Sequence, residues 1–305
     1  MKYLLNTRQL LSTIKFLLMM LLFAIQSNAQ TFDSPKPLTE RVTPTPANAI
    51  KIFEEAEMHP YEHLLTQEER QAVVQAFELL PPLHQRILKE HLEGISFLDS
   101  MPNTALTSTI ESGDSVKRFH ISFRAGILKQ TISQWLTEKE ATCFTENNGD
   151  YKAHYNAGSM NAIVYVLLHE TTHIVDGSLD IFHHSDGGFA KTFTGGVWKD
   201  RVSLETTDSL LSKNHFRRGK LYPYTLATSV YNRLQQTPFV SLYSTSSWSE
   251  DLAECLTVYH LTRRLKQPFQ LFVSKKGKTI FSYEPVKNKR VFARMKALEQ
   301  FYAAG

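Results

Sequence analysis

Apolar residues recur at helical intervals over most of this chain and alternate with polar ones over only a few short stretches. Thr66-Gln67-Glu68-Glu69, ahead of Val73, Val74, Phe77 and Leu79, has the form of a capping box. A hydroxyl meets the free backbone N–H groups and a carboxylate follows three residues later. Pro81-Pro82 ends that helix, and its second proline opens another that runs through Ile87, Leu88 and Leu92 to a stop at Gly94. Residues 117–128 alternate well enough for a strand. Residues 132–140 read as a short helix and 144–159 as a polar loop. Met160–Val175 is largely apolar, has neither Gly nor Pro, and gives the strongest helical signal. The Gly-rich stretch 177–196 has no assignable pattern. Helical spacing returns at 204–212, 226–235 and 249–265. Residues 269–274 and 278–284, joined across Lys275-Lys276-Gly277, read as a β-hairpin, and a final helix is expected over 286–303. There is no internal repeat. Helices, a little sheet, then more helices define an α+β class.

The two ends of this pattern differ from its middle. Lys2, Arg8 and Lys15 precede an unbroken apolar run from Phe16 to Ile25, and small side chains at Ser27 and Ala29 follow. This is the three-part layout of a secretory signal peptide cut after Ala29. Such a run makes a helix of only ~15 Å, against a hydrocarbon core of ~30 Å, so an exported chain without a stable membrane anchor is expected, periplasmic or secreted. Residues 30–49, with Pro35, Pro37, Pro44 and Pro46, read as an extended arm or linker. Residues 50–305 are then the folded domain.

Export changes how charge and cysteines read. The formal charge of +4 falls to +1 beyond position 29, where 31 basic residues face 30 acidic ones. A near-neutral chain offers no electrostatic footprint for nucleic acid. Cys143 and Cys255 are an even pair in an oxidising compartment, either one disulfide or two buried thiols.

The helix at 160–175 contains His169-Glu170-Thr171-Thr172-His173. At 3.6 residues per turn the two imidazoles lie on one face, where both reach a single cation, and Glu170 stands beside any water that the cation holds. Imidazole nitrogen suits Zn²⁺, and a catalytic zinc takes three protein ligands and leaves one position open. A longer pattern with Gly and His further along fails, because Asp176 and Leu179 occupy those positions. His183 and His184 read as surface residues. Glu250 and Glu254, one helical turn apart behind Ser249 as N-cap, make the better third contribution. Glu250 would ligate, and Glu254 would orient a ligand histidine through its other ring N–H.

His169-Glu170-x-x-His173 with a distant Glu250-x-x-x-Glu254 resembles the gluzincin metallopeptidases. Tyr243, seven residues before Glu250, and Glu250-Asp251-Leu252-Ala253-Glu254 look like the branch of anthrax lethal factor and the Pro-Pro endopeptidases. The resemblance implies a zincin-like, two-lobed catalytic domain, mostly helical with a small sheet, whose edge strand pairs with an extended peptide. It implies one catalytic Zn²⁺ held by His169, His173 and Glu250, with Glu170 as general base, Tyr243 as hydrogen-bond donor to the oxyanion and Glu254 behind a ligand. Residues 117–128 are the candidate edge strand. The expected partner is a peptide or protein substrate; the oligomeric state stays open. A catalytically silent zinc-binding or zincin-fold binding protein and a zinc amidase or peptidase acting on cell-wall peptides remain alternatives.

Overall fold

Local signals account for most of the helices in the computed structural model, which describes residues 36–111, 115–145, 149–182, 188–205 and 208–302. Residues 1–29, expected to be a signal peptide, the start of the arm, and His183 and His184 lie outside them. The arm is not a detached linker. Its Thr43 N–H donates to the Ile95 carbonyl and its Arg41 carbonyl accepts from the Ile95 N–H, Leu38 joins the core, and Arg41 is 2% exposed. The Arg41 guanidinium donates to the carbonyls of Leu88, Lys89 and Leu92 at the C-terminal end of the helix, where a cation is favoured and carbonyls lack a full set of helical partners. The arm leads directly into α1 (Ala47–Glu55).

The capping box forms as expected. Thr66 Oγ1 accepts from the Glu69 N–H at 3.2 Å and Glu69 Oε2 accepts from the Thr66 N–H at 2.9 Å, opening α2 (Gln67–Glu78). Just before it, β1 (Tyr61–Glu62) pairs with the chain beyond the next helix. Pro82 is the first residue of α3 (Pro82–His91). The helix does not run to Gly94. It ends at His91, and Leu92–Asp99 forms strand β2. Gly94 serves another purpose there, because a Cβ would collide with the Thr43 side chain of the arm.

Two further strands follow, β3 (Ala105–Ile110) and β4 (Arg118–Arg124). The sheet order is β1-β2-β4-β3, with β2 and β4 parallel and β3 antiparallel to β4. The strand expected in 117–128 is therefore present but interior. The edge strand is β3, which the hydrophobic pattern did not disclose. Helix α4 (Ile132–Ala141) starts at a second capping box, Thr131 with Gln134. The expected loop 144–159 contains strand β5 (Tyr151–Asn156), in which Ala153 and Tyr155 turn inward and Lys152 and Asn156 outward.

The strongest helical signal becomes α5 (Ala162–Leu179), capped by Asn161 Oδ1 on the Ile163 N–H and ended by Asp180 in a left-handed conformation. It packs against α2, α3, α4 and the first sheet, which is why its apolar residues surround it instead of forming one stripe. Short helices α6 (Gly188–Thr194) and α7 (Ser209–Ser212) follow; of the described residues in 204–212, only α7 is helical. Helices α8 (Ala227–Gln235) and α9 (Trp248–Tyr259) match their expected positions, and α9 continues as a π turn over His260–Arg264. The hairpin is β6 (Gln270–Lys275) and β7 (Lys278–Tyr283), joined by β5 in a second sheet of order β5-β6-β7. The chain closes with α10 (Lys289–Met295) and a 3-10 turn, Lys296–Phe301. The architecture is α+β, with two small sheets. Among the described residues no helix is long and apolar enough to cross a membrane. Cys143 and Cys255 are both buried free thiols, so the disulfide alternative does not hold. Burial pushes both pKa values up.

Candidate metal centre

His169 and His173 project from one face of α5 toward the first turn of α9. That turn begins at Ser247 and not Ser249: Ser247 Oγ accepts from the Glu250 N–H at 3.2 Å. This cap fixes the direction in which Glu250 leaves the helix. Its Oε2 lies 3.0 Å from His169 Nε2 and 3.4 Å from His173 Nε2, and the two ring nitrogens are 3.3 Å apart. A tetrahedral ion with ligands ~2.0–2.1 Å away holds any two of them about 3.3 Å apart. The three atoms thus have the spacing of one face of a tetrahedron, and their chemistry, two imidazoles and a carboxylate, fits Zn²⁺. No other group of His, Cys, Asp or Glu among the described residues gathers ligand atoms in this way.

His169 is braced from behind. The second ring nitrogen of His169, Nδ1, is 3.2 Å from Glu254 Oε1, within ion-pair distance though not aligned as a hydrogen bond. Glu254 is 1% exposed; its other oxygen accepts from Ser241 Oγ at 2.6 Å, and Lys139 Nζ is 3.6 Å from Oε1. Burial opposes its charge, but the Lys139 ammonium and the contacts from His169 and Ser241 hold the carboxyl well below the usual range. Burial also disfavours a charged His169, and the bonds and charge of Glu250 and Glu254 outweigh it and raise its pKa. Glu250 is lowered in turn by both histidines, against burial. The cluster favours cationic charge between its acidic groups.

Glu170 stands beside the ligands, with one oxygen accepting from Thr107 Oγ1 at 2.6 Å. Thr107 is on the edge strand β3, so Glu170 is tied to the open edge of the first sheet. Tyr243 packs its ring 5.8 Å from that of His169, with its phenol within hydrogen-bonding reach of Glu250. Burial, then the charge of Glu250, Glu170 and Glu254, raises its pKa well above that of a free phenol, so it keeps its proton and acts as a donor. A cleft of about 610 Å³ opens onto His169, Glu170 and Tyr243 between Ala105 and Phe216. His173 and Glu250 sit just beyond its floor, with 22% and 24% of their side chains exposed.

The structure thus gathers all six residues singled out from the sequence: His169, Glu170, His173, Tyr243, Glu250 and Glu254. Three participants carry no signal of their own. Thr107 is one threonine in a polar stretch, Ser241 one serine before Tyr243, and Lys139 reads as an ordinary helix lysine. Behind α5, Thr172 Oγ1 donates to the Leu168 carbonyl at 2.8 Å, so the His84 Nε2–H must donate to it across their 3.0 Å contact. Burial, with the charge of His260, lowers His84 to about 3 and keeps it neutral. No protein-family model, no curated protein and no solved structure matches the chain.

Proposed function

We propose that the protein is an exported zinc-dependent endopeptidase with a zincin-like catalytic fold. The observation that carries the reading is the meeting of His169, His173 and Glu250 at tetrahedral spacing, next to an open cleft that His169 and Glu170 line. Bound Zn²⁺ supplies a water of lowered pKa and polarises the scissile carbonyl.

The chain's own groups perform the remaining work. An extended peptide adds to the free edge of β3, which brings its backbone across the cleft. Glu170, steadied by the Thr107 hydroxyl, takes the proton of the attacking water and passes it to the leaving amine. The Tyr243 O–H turns from Glu250 to the oxyanion that develops on the former carbonyl oxygen. Glu254 keeps His169 in the tautomer that leaves Nε2 free to ligate.

Metal analysis of the purified protein, followed by a peptide-library cleavage assay with and without chelator, tests this. Stoichiometric zinc and cleavage that chelator abolishes and zinc restores are expected. Zinc without any peptide cleavage would identify a binding protein, and cleavage confined to cell-wall peptides a narrower hydrolase.

A further inference from the structure

Lys139 projects from α4 into the interior beside the centre, and its side chain is only 18% exposed. Its Nζ lies 3.5 Å from the centroid of the Tyr243 ring, 5.0 Å from that of Trp135 and 5.8 Å from that of Phe216. The same atom is 3.6 Å from Glu254 Oε1. An ammonium surrounded by rings loses hydration, and ring faces alone return only part of that cost. The rest comes chiefly from the Glu254 carboxylate, whose Oε1 has no aligned hydrogen bond within the chain, with a weaker contribution from the buried Glu140, whose pKa the ammonium lowers against burial. The neighbouring Glu138 is instead engaged at the surface by Gln130. A solvated helix lysine has no reason to turn inward; a lysine that balances a buried charge has one.

Charge balance points the same way. Glu170, Glu250 and Glu254 bring three negative charges to the centre. A divalent cation leaves one uncompensated, and Lys139 is the cation within ion-pair distance of Glu254 besides His169. We infer that Lys139 is a positioning residue of the metal centre, pinning Glu254 against His169 and bracing the Tyr243 ring from its face. One side chain of α4 thereby sets the orientation of a ligand imidazole and of the oxyanion donor. The Tyr243 half rests on the peptidase reading; the Glu254 half requires only that the centre binds a divalent metal.

Zinc affinity, read by competition with a chelating dye, separates the two. Lys139→Met should weaken zinc binding about 10–100-fold, the usual effect of losing a group behind a metal ligand, and Lys139→Arg, which retains the cation, should recover most of the loss. Because Lys139 acts through Glu254, Lys139→Met should add little in a Glu254→Gln background, whereas independent effects would multiply. In peptide hydrolysis Lys139→Met should lower kcat with KM nearly unchanged. Wild-type affinity in Lys139→Met, or losses that multiply in the double variant, would overturn the inference. If Lys139→Met does not fold, Lys139→Gln replaces it in the same cycle. Zinc bound normally by a protein that cleaves nothing would sink the peptidase reading and leave this comparison intact.

Discussion

Asp251 and Glu254 leave the same helix three positions apart and serve different masters. Asp251 is fully buried; its carboxylate accepts from Arg294 at 2.6 and 3.2 Å and from Trp198 Nε1 at 2.8 Å. It therefore anchors α10 to α9 and contributes nothing to the metal. Asp251→Asn should cost ~3–5 kcal/mol, because Arg294 is left as a buried charge without its partner, and a urea titration will register it as a lowered midpoint. The zinc bound per folded molecule should not change. Glu170→Gln should do the reverse: unchanged stability and zinc content, with peptide hydrolysis slower by ~10²–10⁴ because the ligands remain and the base does not. Activity within a few-fold of wild type would remove Glu170 from that role. In the sequence these carboxylates look alike. His169, Glu170 and His173 were legible because three side chains within five positions encode one face of one helix. Glu250 was legible only once the histidine pair called for a third ligand, and Lys139 not at all, since its role depends on which way α4 turns.

The helices were the readable elements because their ends carry their own chemistry. Thr66 with Glu69 and Pro82 at a first turn mark boundaries without reference to the rest of the fold. The strands were readable only in part: β4 and the hairpin of β6 and β7 were anticipated, whereas β1, β2, β3 and β5 were not. In β2 six of eight positions are buried, so both faces are covered and no alternation survives. β3 leaves most of its residues only half-buried at an edge and shows no regular alternation of apolar and polar positions. The short β1 is held by His63, whose Nδ1 meets Asp99 at 2.8 Å and whose Nε2 meets Glu69 at 3.1 Å. Burial lowers the His63 pKa, but the two carboxylates outweigh it and raise it above 6.5; Glu69 is held below 4.5 by Thr66 and His63 despite burial. The contribution from His63 is therefore complete below pH 6.5 and fades as pH rises through its folded value. That from Glu69 is complete above pH 4.5 and fades on acidification. Stability against urea should be greatest between these limits, and His63→Gln should flatten the decline on the alkaline side. An unchanged alkaline limb in that variant would show that the pair is decorative.

On the scale of the whole molecule, α5 is the axis about which the other elements gather. The edge strand reaches it through Thr107 and Glu170, α9 through Glu250 and His169, α3 through His84 and Thr172, and α4 by way of α9, through Lys139 and Glu254. Function is thus distributed over elements far apart in the chain, each contributing one or two side chains, which is why only the part within α5 itself could be read from local sequence.

The Arg41 buckle has a consequence for how such a protein can be matured. Its guanidinium closes the carbonyl end of α3, and α3 in turn supports Thr172, between the two ligand histidines. A processing cut anywhere in Thr43–Pro46 would separate the buckle from the domain, leaving the last turn of α3 unfastened and the histidine helix without its backing. Any cleavage compatible with an intact centre should therefore fall before Arg41, leaving the arm as part of the folded body. Engineered cleavage at that segment, or Arg41→Met in the uncut chain, should lower the thermal midpoint and loosen zinc together; a cut chain that keeps both would mean that the segment is a removable leader after all.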